Sequence, residues 1–394
     1  MTEIVVVSGV RTAIGSYGGS LRDVPASELA TLVVREALCR ANLRPEDVDH
    51  VVFGMVNPTA KEDPYIARVA AVKAGIPVRT PAVTVNRLCG SGLEAITSGA
   101  RLILAGDADV VVAGGVESMS RAPYWSMKTR WGARMGDETL LDSVLAGLSD
   151  PFDNVHMGIT AENVAEKYAV SRQRQDEYAL LSQQRAARAI REGRFRSQIV
   201  PVAVPDRKGG PTLFEVDEHP RPETNLEKLA ALKPAFKPDG TVTAGNASGL
   251  NDGASAVVLM SRERAEQLGV PPLAQLLSWA VTGCRPEYMG IGPVTAVPKA
   301  LMRAGLRLSD IDLIEFNEAF AAQVLAVVDE LQLDLDKVNP NGGAIALGHP
   351  IGATGTILTV KLLYELQRAD QELGLVTLCI GGGQGIAAVF RRER

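Results

Sequence analysis

The stretch REALCRANLRPEDVDHVVFG at 35–54 returns as PKALMRAGLRLSDIDLIEFN at 298–317. Nine of the twenty aligned positions are identical, among them Ala37/Ala300, Leu38/Leu301, Arg40/Arg303, Asp47/Asp310, Asp49/Asp312 and Phe53/Phe316. In both copies a helical apolar pattern gives way to a charged turn and then to a strand-length apolar run. The correspondence continues in the same order. CGSG, a helical pattern and DVVVAGG (89–115) are echoed by HPIGATG, a helical pattern and LVTLCIGGG (349–383). A single matched unit could arise by convergence, but matches that follow one another in order indicate duplication. The chain therefore reads as two similar α/β halves with reactive residues at matching strand ends, meeting at one site.

Outward from the repeat, residues 4–8 (IVVVS), 51–56, 82–86 and 109–113 are apolar runs of strand length. Ser27 opens a helical pattern with Leu29, Leu32, Val33 and Ala37 on one face. A second pattern starts just after Cys89 and runs through Leu93, Ile96, Ala100 and Ile103. The alternation predicts α/β layers with largely buried strands. Residues 119–249 differ, being richer in Arg, Pro and polar residues. They hold a long amphipathic helix after Ser171, a good N-cap, that ends near Gly193, followed by loop-like sequence with Pro201, Pro205, Pro211, Pro220 and Pro222. This segment reads as an insertion over one face of the core, a common place for a substrate pocket. The expected division is 1–118 with 250–271, an inserted 119–249, and 272–394.

Composition narrows the function. Apolar residues make up 46 %, charged residues 22 %, and the net charge is −5. No basic block suits nucleic-acid phosphates. MTEIVVVSGV reads as a first strand and not as a signal peptide. No run approaches the ~20 apolar residues that cross a bilayer. Four scattered cysteines form no disulfide framework or CxxC pair, which favours a cytoplasmic setting.

Two of those cysteines stand against glycine clusters: Cys89 in NRLCGSGLEA and Cys379 in LVTLCIGGGQGIA. Glycine lets backbone N–H groups approach a substrate carbonyl. A helix opening at Cys89 aims N–H groups and a positive dipole end at its sulfur, which favours thiolate and a nucleophile over a packed core thiol. His349 lies in NGGAIALGHPIGATG and can take a thiol proton and return it, or donate to an oxyanion. Cys379 reads as a second acid/base, because an ordinary thiol pKa of ~8.5 works in both directions. Asn317 in NEAFA is a candidate oxyanion group, directly or through a water, and equally a helix N-cap. A zinc site from Cys89, Cys379, His156 and His349 lacks structural-zinc spacing.

Together these blocks resemble the thiolase family over essentially the whole chain. NRLCGSG, NEAFA, GGAIALGHPIGATG and CIGGGQG look like its signature blocks, and AGNASGLNDGA (244–254) and HMG (156–158) match too. The resemblance is nearest to bacterial acetyl-CoA acetyltransferases and β-ketothiolases. It implies a five-layered α-β-α-β-α core from two duplicated halves, plus a loop domain. It further implies that Cys89 takes an acyl group from an acyl-CoA, that His349 assists proton transfer, and that Cys379 takes the α-proton of acetyl-CoA. The product would be a 3-ketoacyl-CoA, and the reverse reaction is thiolysis. Oxyanion sites would be His349 with a water on Asn317, and the N–H groups of Cys89 and Gly381. Coenzyme A contacts would fall to Ser248, His156, Met157, Met289 and Phe320, with Arg221 at the adenine end beside Pro222, where relatives often have histidine. No metal or cofactor is implied. A homotetramer is, with contacts near 120–145 around Trp125 and Trp131. A ketoacyl synthase or a cysteine hydrolase would leave Cys379 unexplained, and an inactive lipid carrier would not need all four polar groups.

Overall fold

In a computed structural model, which describes residues 2–205 and 210–393, each copy of the repeated stretch forms the end of a helix, a short turn and a strand. The shared identities have local causes. Asp47 and Asp310 each accept from the backbone N–H and the guanidinium of the arginine three residues earlier, Arg44 or Arg307, and close the turn. Asp49 accepts from the N–H groups of Asp109 and Val110, and Asp312 from those of Glu372 and Leu373, so each ties its own strand to a neighbour.

The first half runs β1 (Ile4–Thr12), α1 (Ala26–Arg40), β2 (His50–Gly54), α2 (Ile66–Lys73), β3 (Ala82–Val85), α3 (Ser91–Ala105) and β4 (Val110–Ser118). The following segment supplies α4 (Met157–Lys167) and α5 (Arg172–Arg191), and the chain returns as β5 (Asn251–Ser261). The second half runs β6 (Ala274–Gly283), α6 (Gly292–Ala304), β7 (Leu313–Phe316), α7 (Ala321–Leu331), α8 (Ile351–Arg368), β8 (Leu373–Ile380) and β9 (Gln384–Arg392). Strands lie in the order β3-β2-β4-β5-β1 in the first half and β7-β8-β9-β6 in the second. The two sheets join where Ile4–Val6 pair antiparallel with Ala274–Leu276.

Three apolar clusters separate the layers. Leu29, Val33, Ala67 and Ala70 of α1 and α2 pack on the outer face of the first sheet. Leu93 and Ile96 of α3 share the space between the sheets with Leu358 and Leu362 of α8. Val297 of α6 and Val324 and Leu325 of α7 cover the second sheet. The result is the α-β-α-β-α succession that the resemblance implied. β4 and β5 are buried at every position, as strands covered on both faces must be. Each fully buried Leu or Val contributes about 1.5–3 kcal/mol.

The central helices meet backbone to backbone. A methyl on Gly92 would lie 2.7 Å from the Thr356 nitrogen, and one on Gly355 would overlap the Leu93 nitrogen. Thr356 Oγ1 donates to the Gly92 carbonyl at 3.0 Å across this contact.

Of the expected insertion, residues 206–209 lie outside the described residues. Ser171 caps α5 by accepting the Arg174 N–H, and Gly193 follows at a left-handed φ of 71°. A buried Arg11–Asp217 pair, 2.7 and 2.9 Å across its two bonds, fixes the segment to β1. Removing one partner of such a pair costs about 3–5 kcal/mol.

Candidate active site

Cys89 sits on the short turn between β3 and α3. Leu88, just before it, has a φ of 44°, a strained value for a branched side chain. The turn is held from both sides. Asn86 Oδ1 accepts the Leu88 N–H at 2.9 Å, while Ser91 Oγ accepts the Arg87 N–H at 2.8 Å and donates to the Leu88 carbonyl at 2.7 Å. Gly90 packs against Ile380, so the turn rests on the end of β8, which carries Cys379.

His349 occupies the equivalent place ahead of α8. The repeat therefore pairs Cys89 with His349, and Cys379 belongs to the matching of β4 with β8. Gly348 takes a φ of 106°, and a side chain there would strike Asn251. Asn251 Oδ1 accepts the His349 N–H at 2.8 Å and Asn251 Nδ2 donates to the Gly15 carbonyl at 3.0 Å, which fixes the histidine backbone. Glu117 accepts the N–H groups of Val56, Asn57 and Gly352, anchoring the first turn of α8.

The imidazole has two partners. Nδ1 lies 2.6 Å from Thr354 Oγ1, and Nε2 lies 3.3 Å from Asn317 Nδ2. Thr354 spends its only hydroxyl proton on the Pro350 carbonyl at 2.9 Å. Its oxygen must therefore accept from Nδ1–H, which leaves the Nε2 lone pair on the side of Asn317. Asn317 is fully buried, and its Oδ1 has no protein partner among the described residues, so the amide can still accept from a water or substrate group. Asn317 is not a helix cap; Phe320 holds that place for α7.

Burial dominates the titration of the site. It pushes the Cys89 thiol up to about 11, although the N–H groups of Gly381 and of Cys89 itself pull the other way. Desolvation therefore outweighs the helix-start effect that favoured a resting thiolate. Cys379 is raised well above the ordinary thiol value, by burial first and then by Cys89 and Cys284, so it too rests as a neutral thiol and not near neutrality. His349 is lowered to about 4 by burial. Glu117 is raised to about 7, again by burial.

A cleft of about 350 Å³ opens on these groups. Cys89, His349, Gly381, His156, Met157, Ser248, Met289 and Phe320 line it. Cys379 and Asn317 lie behind the lining, fully buried. Arg221 does not reach the cleft. It is exposed, and its backbone N–H is held by Gln183 at 2.8 Å. Phe236 was not anticipated. It stacks on His156 with ring centroids 4.6 Å apart and meets Phe320 edge-on at 6.2 Å, building an aromatic wall. His156 also caps α4, its Nδ1 accepting the Gly158 N–H. Thr354 and Asn251 were missed as well. Thr354 lies in the quoted GHPIGATG block, one turn beyond the histidine, and that spacing is the signal that could have found it. Among the described residues no group of three or more His, Cys, Asp or Glu side chains is placed to hold a metal ion.

Comparison with known proteins agrees over the whole length. The family model "Thiolase, N-terminal domain" matches residues 4–263, and "Thiolase, C-terminal domain" matches residues 270–392. The beta-ketothiolase BktB of Cupriavidus necator is 59 % identical over 391 residues, 99 % of each chain. An acetyl-CoA acetyltransferase of Chromobacterium violaceum is 55 % identical over 99 % of this chain and 100 % of that one. The crystal structure of human mitochondrial 3-ketoacyl-CoA thiolase superposes with a TM-score of 0.98 at 46 % identity, covering 100 % of this chain and 99 % of that one. Its complex with CoA superposes with a TM-score of 0.97, at 46 % identity and with coverage of 100 % and 98 %. With both halves matched, and with two thiols and an imidazole gathered at one cleft, this chain belongs to the thiolase family.

Proposed function

We propose that this cleft performs the reversible Claisen condensation of acetyl-CoA with an acyl-CoA to give a 3-ketoacyl-CoA and CoA, with thiolysis as the reverse. The observation that carries the residue roles is the joint placement of Cys89, His349 and Cys379, each neutral at rest. Cys89 sulfur attacks the thioester carbon while its proton passes to His349 Nε2. A gap from about 11 for the thiol to about 4 for the imidazole disfavours a preformed ion pair, so the proton leaves as the C–S bond forms. The new Nε2–H then donates to the oxyanion, with Asn317 beside it. Cys379 gives its proton to the departing CoA sulfur and is left as thiolate. Once Cys89 is acylated it can carry no charge, which removes one of the influences that hold Cys379 protonated. The Cys379 thiolate takes an α-proton from acetyl-CoA, and the carbanion attacks the acyl carbon. Cys89 leaves and recovers its proton from His349. The N–H groups of Gly381 and Cys89, which lie against the sulfur, supply a second set of oxyanion donors.

Nucleophile, bases and oxyanion donors in this reading all come from the chain, and we propose that the reaction uses no metal or cofactor. The aromatic wall of His156, Phe236 and Phe320, with Met157, Met289 and Ser248, suits the arm of a CoA thioester. Arg221, exposed outside the cleft, is assigned to the adenine end. We place the enzyme in the cytoplasm, where the free thiols Cys39, Cys89, Cys284 and Cys379 stay reduced. Among the described residues no helix is long and apolar enough to cross a membrane. The resemblance implies a homotetramer, and the exposed apolar residues Tyr124, Met127, Trp131, Met135 and Leu140 are proposed as its contacts.

Acetyl-CoA should label Cys89 alone, read by intact mass and peptide mapping. A label elsewhere, or none, overturns the assignment. Cys379→Ser should still be acylated, more slowly because the leaving CoA sulfur loses its thiol acid, yet fail to exchange the α-protons of acetyl-CoA in D2O. Exchange at the unaltered rate refutes the base.

A further inference from the structure

Two apolar clusters border the cleft, and each contains one cysteine. Cys379 packs with Met157, Val242, Met289 and Phe320, the end assigned to the CoA arm. Cys89 packs with a separate cluster of Met119, Val144 and Ile351, beside Leu148 and Leu250. An acyl group bonded to Cys89 would therefore meet this second cluster. Behind it is a further cavity of only about 10 Å³, bounded by Val56, Asn57, Glu117, Ser143 and Val144. Met119, Gly147 and Ile351 line both spaces, so they form the partition between them.

Two features make the partition firm. Methionine is normally an adaptable filler, but Met119 is pinned at its sulfur, which accepts the Asn251 N–H at 3.3 Å. Beyond it the surroundings turn polar. Asn57 Nδ2 donates to Ser143 Oγ at 2.9 Å, and the Glu117 carboxylate takes three backbone N–H groups. The far cavity barely reaches the ~10–15 Å³ that a single water needs. A long alkyl chain driven through the partition would find no room and would press methylenes on a carboxylate.

We propose that Met119 and Ile351 set the length of acyl group that Cys89 carries, so that the enzyme handles acetyl and propionyl groups and turns away hexanoyl and longer ones. The inference rests on acylation of Cys89. A methylene that does or does not fit an apolar pocket changes specificity by roughly 10- to 200-fold. The test is kcat/KM for thiolysis of acetoacetyl-, 3-ketovaleryl-, 3-ketohexanoyl- and 3-ketooctanoyl-CoA, which deposit acetyl, propionyl, butyryl and hexanoyl groups. The intact enzyme should prefer acetoacetyl- to 3-ketooctanoyl-CoA by at least roughly tenfold. Met119→Ala should shift that ratio at least roughly tenfold toward the longer substrate, and Ile351→Val in the same direction by less. Loss of the Met119 sulfur also loosens Asn251 and hence His349, but that effect is common to all four substrates and cancels in the ratio. If Met119→Ala does not fold, as thermal unfolding will show, Ile351→Val carries the test alone. Equal activity of the intact enzyme on the shortest and longest substrates overturns the proposal, and so does an unmoved ratio in the folded variants. Failure of the intact enzyme to cleave acetoacetyl-CoA or to become acylated at Cys89 would instead strike the thiolase chemistry itself.

Discussion

Replacing Thr354 by valine keeps the shape of the side chain and deletes one oxygen. That oxygen receives the His349 Nδ1–H at 2.6 Å, and the site is buried. Without it the ring has two choices. It can keep the proton on Nδ1 with no partner, at a cost of about 1–3 kcal/mol for a buried donor. Or it can move the proton to Nε2, where the lone pair that receives the Cys89 proton is lost. Either way the base is impaired by about the same energy, and ~1.4 kcal/mol is a factor of ten in rate. Acylation of Cys89 should slow by about 10- to 100-fold. The helical back-bond to Pro350 is lost too, but one such bond is worth only about 0.5–1.5 kcal/mol, so the protein should fold. The assay is single-turnover acylation by acetyl-CoA, with 15N NMR of His349 to read the tautomer. Thr354→Ser restores the oxygen and should restore both. Acylation by the valine variant at the unaltered rate, or a serine variant as slow as the valine one, would refute the reasoning.

The acid limb of acylation should fall near pH 4 and not near the ordinary imidazole value of ~6.5, because burial lowers His349 to about 4; a pH-jump acylation series that breaks near 6.5 would contradict this. The same shift makes His349 stabilising above its unfolded pKa, and that contribution is lost as pH falls from ~6.5 toward 4, since the unfolded chain binds the extra proton. Denaturant titrations should show a shallower loss of stability over this window for His349→Asn than for the intact chain. Gly355→Ala forces a methyl into the Leu93 backbone and should lower stability by about 1–3 kcal/mol, with kcat falling as the two helix starts move apart. Trp131→Ser combined with Met135→Ser, at positions 86 % and 98 % exposed, should leave the protomer fold intact while light scattering reports a smaller assembly.

The layered fold was legible because duplication leaves paired identities such as Asp49/Asp312, and those residues hold strands together. Cys89, His349 and Cys379 were legible because each sits where glycine permits a close approach of backbone. The thiol and imidazole titrations were not, since they are governed by how much protein surrounds each group. No local spacing reports that, and the helix-start argument for a thiolate at Cys89 failed for that reason. Asn251 lies in the quoted block 244–254, but its hold on His349 spans ninety-eight positions that no local pattern links, and Phe236 reaches His156 from a stretch without periodic pattern. Thr354 was within reach, five residues beyond the histidine. Arg221 was assigned by motif alone, and the structure leaves it on the surface.

The contact of the Cys89 turn with the end of β8 also bears on how much of the chain must be made before the site can exist. Cys89 emerges from the ribosome early, on a turn that rests on Ile380 at the far end of the chain. Strand β5 must arrive before the first sheet can close, and α8 and β8 before the nucleophile has its base or its supporting floor. A nascent chain halted anywhere short of the final strands therefore holds a thiol without a catalyst around it. A chain that ends before α8 and β8 lacks both His349 with its helix and Cys379, and so lacks the assembled site.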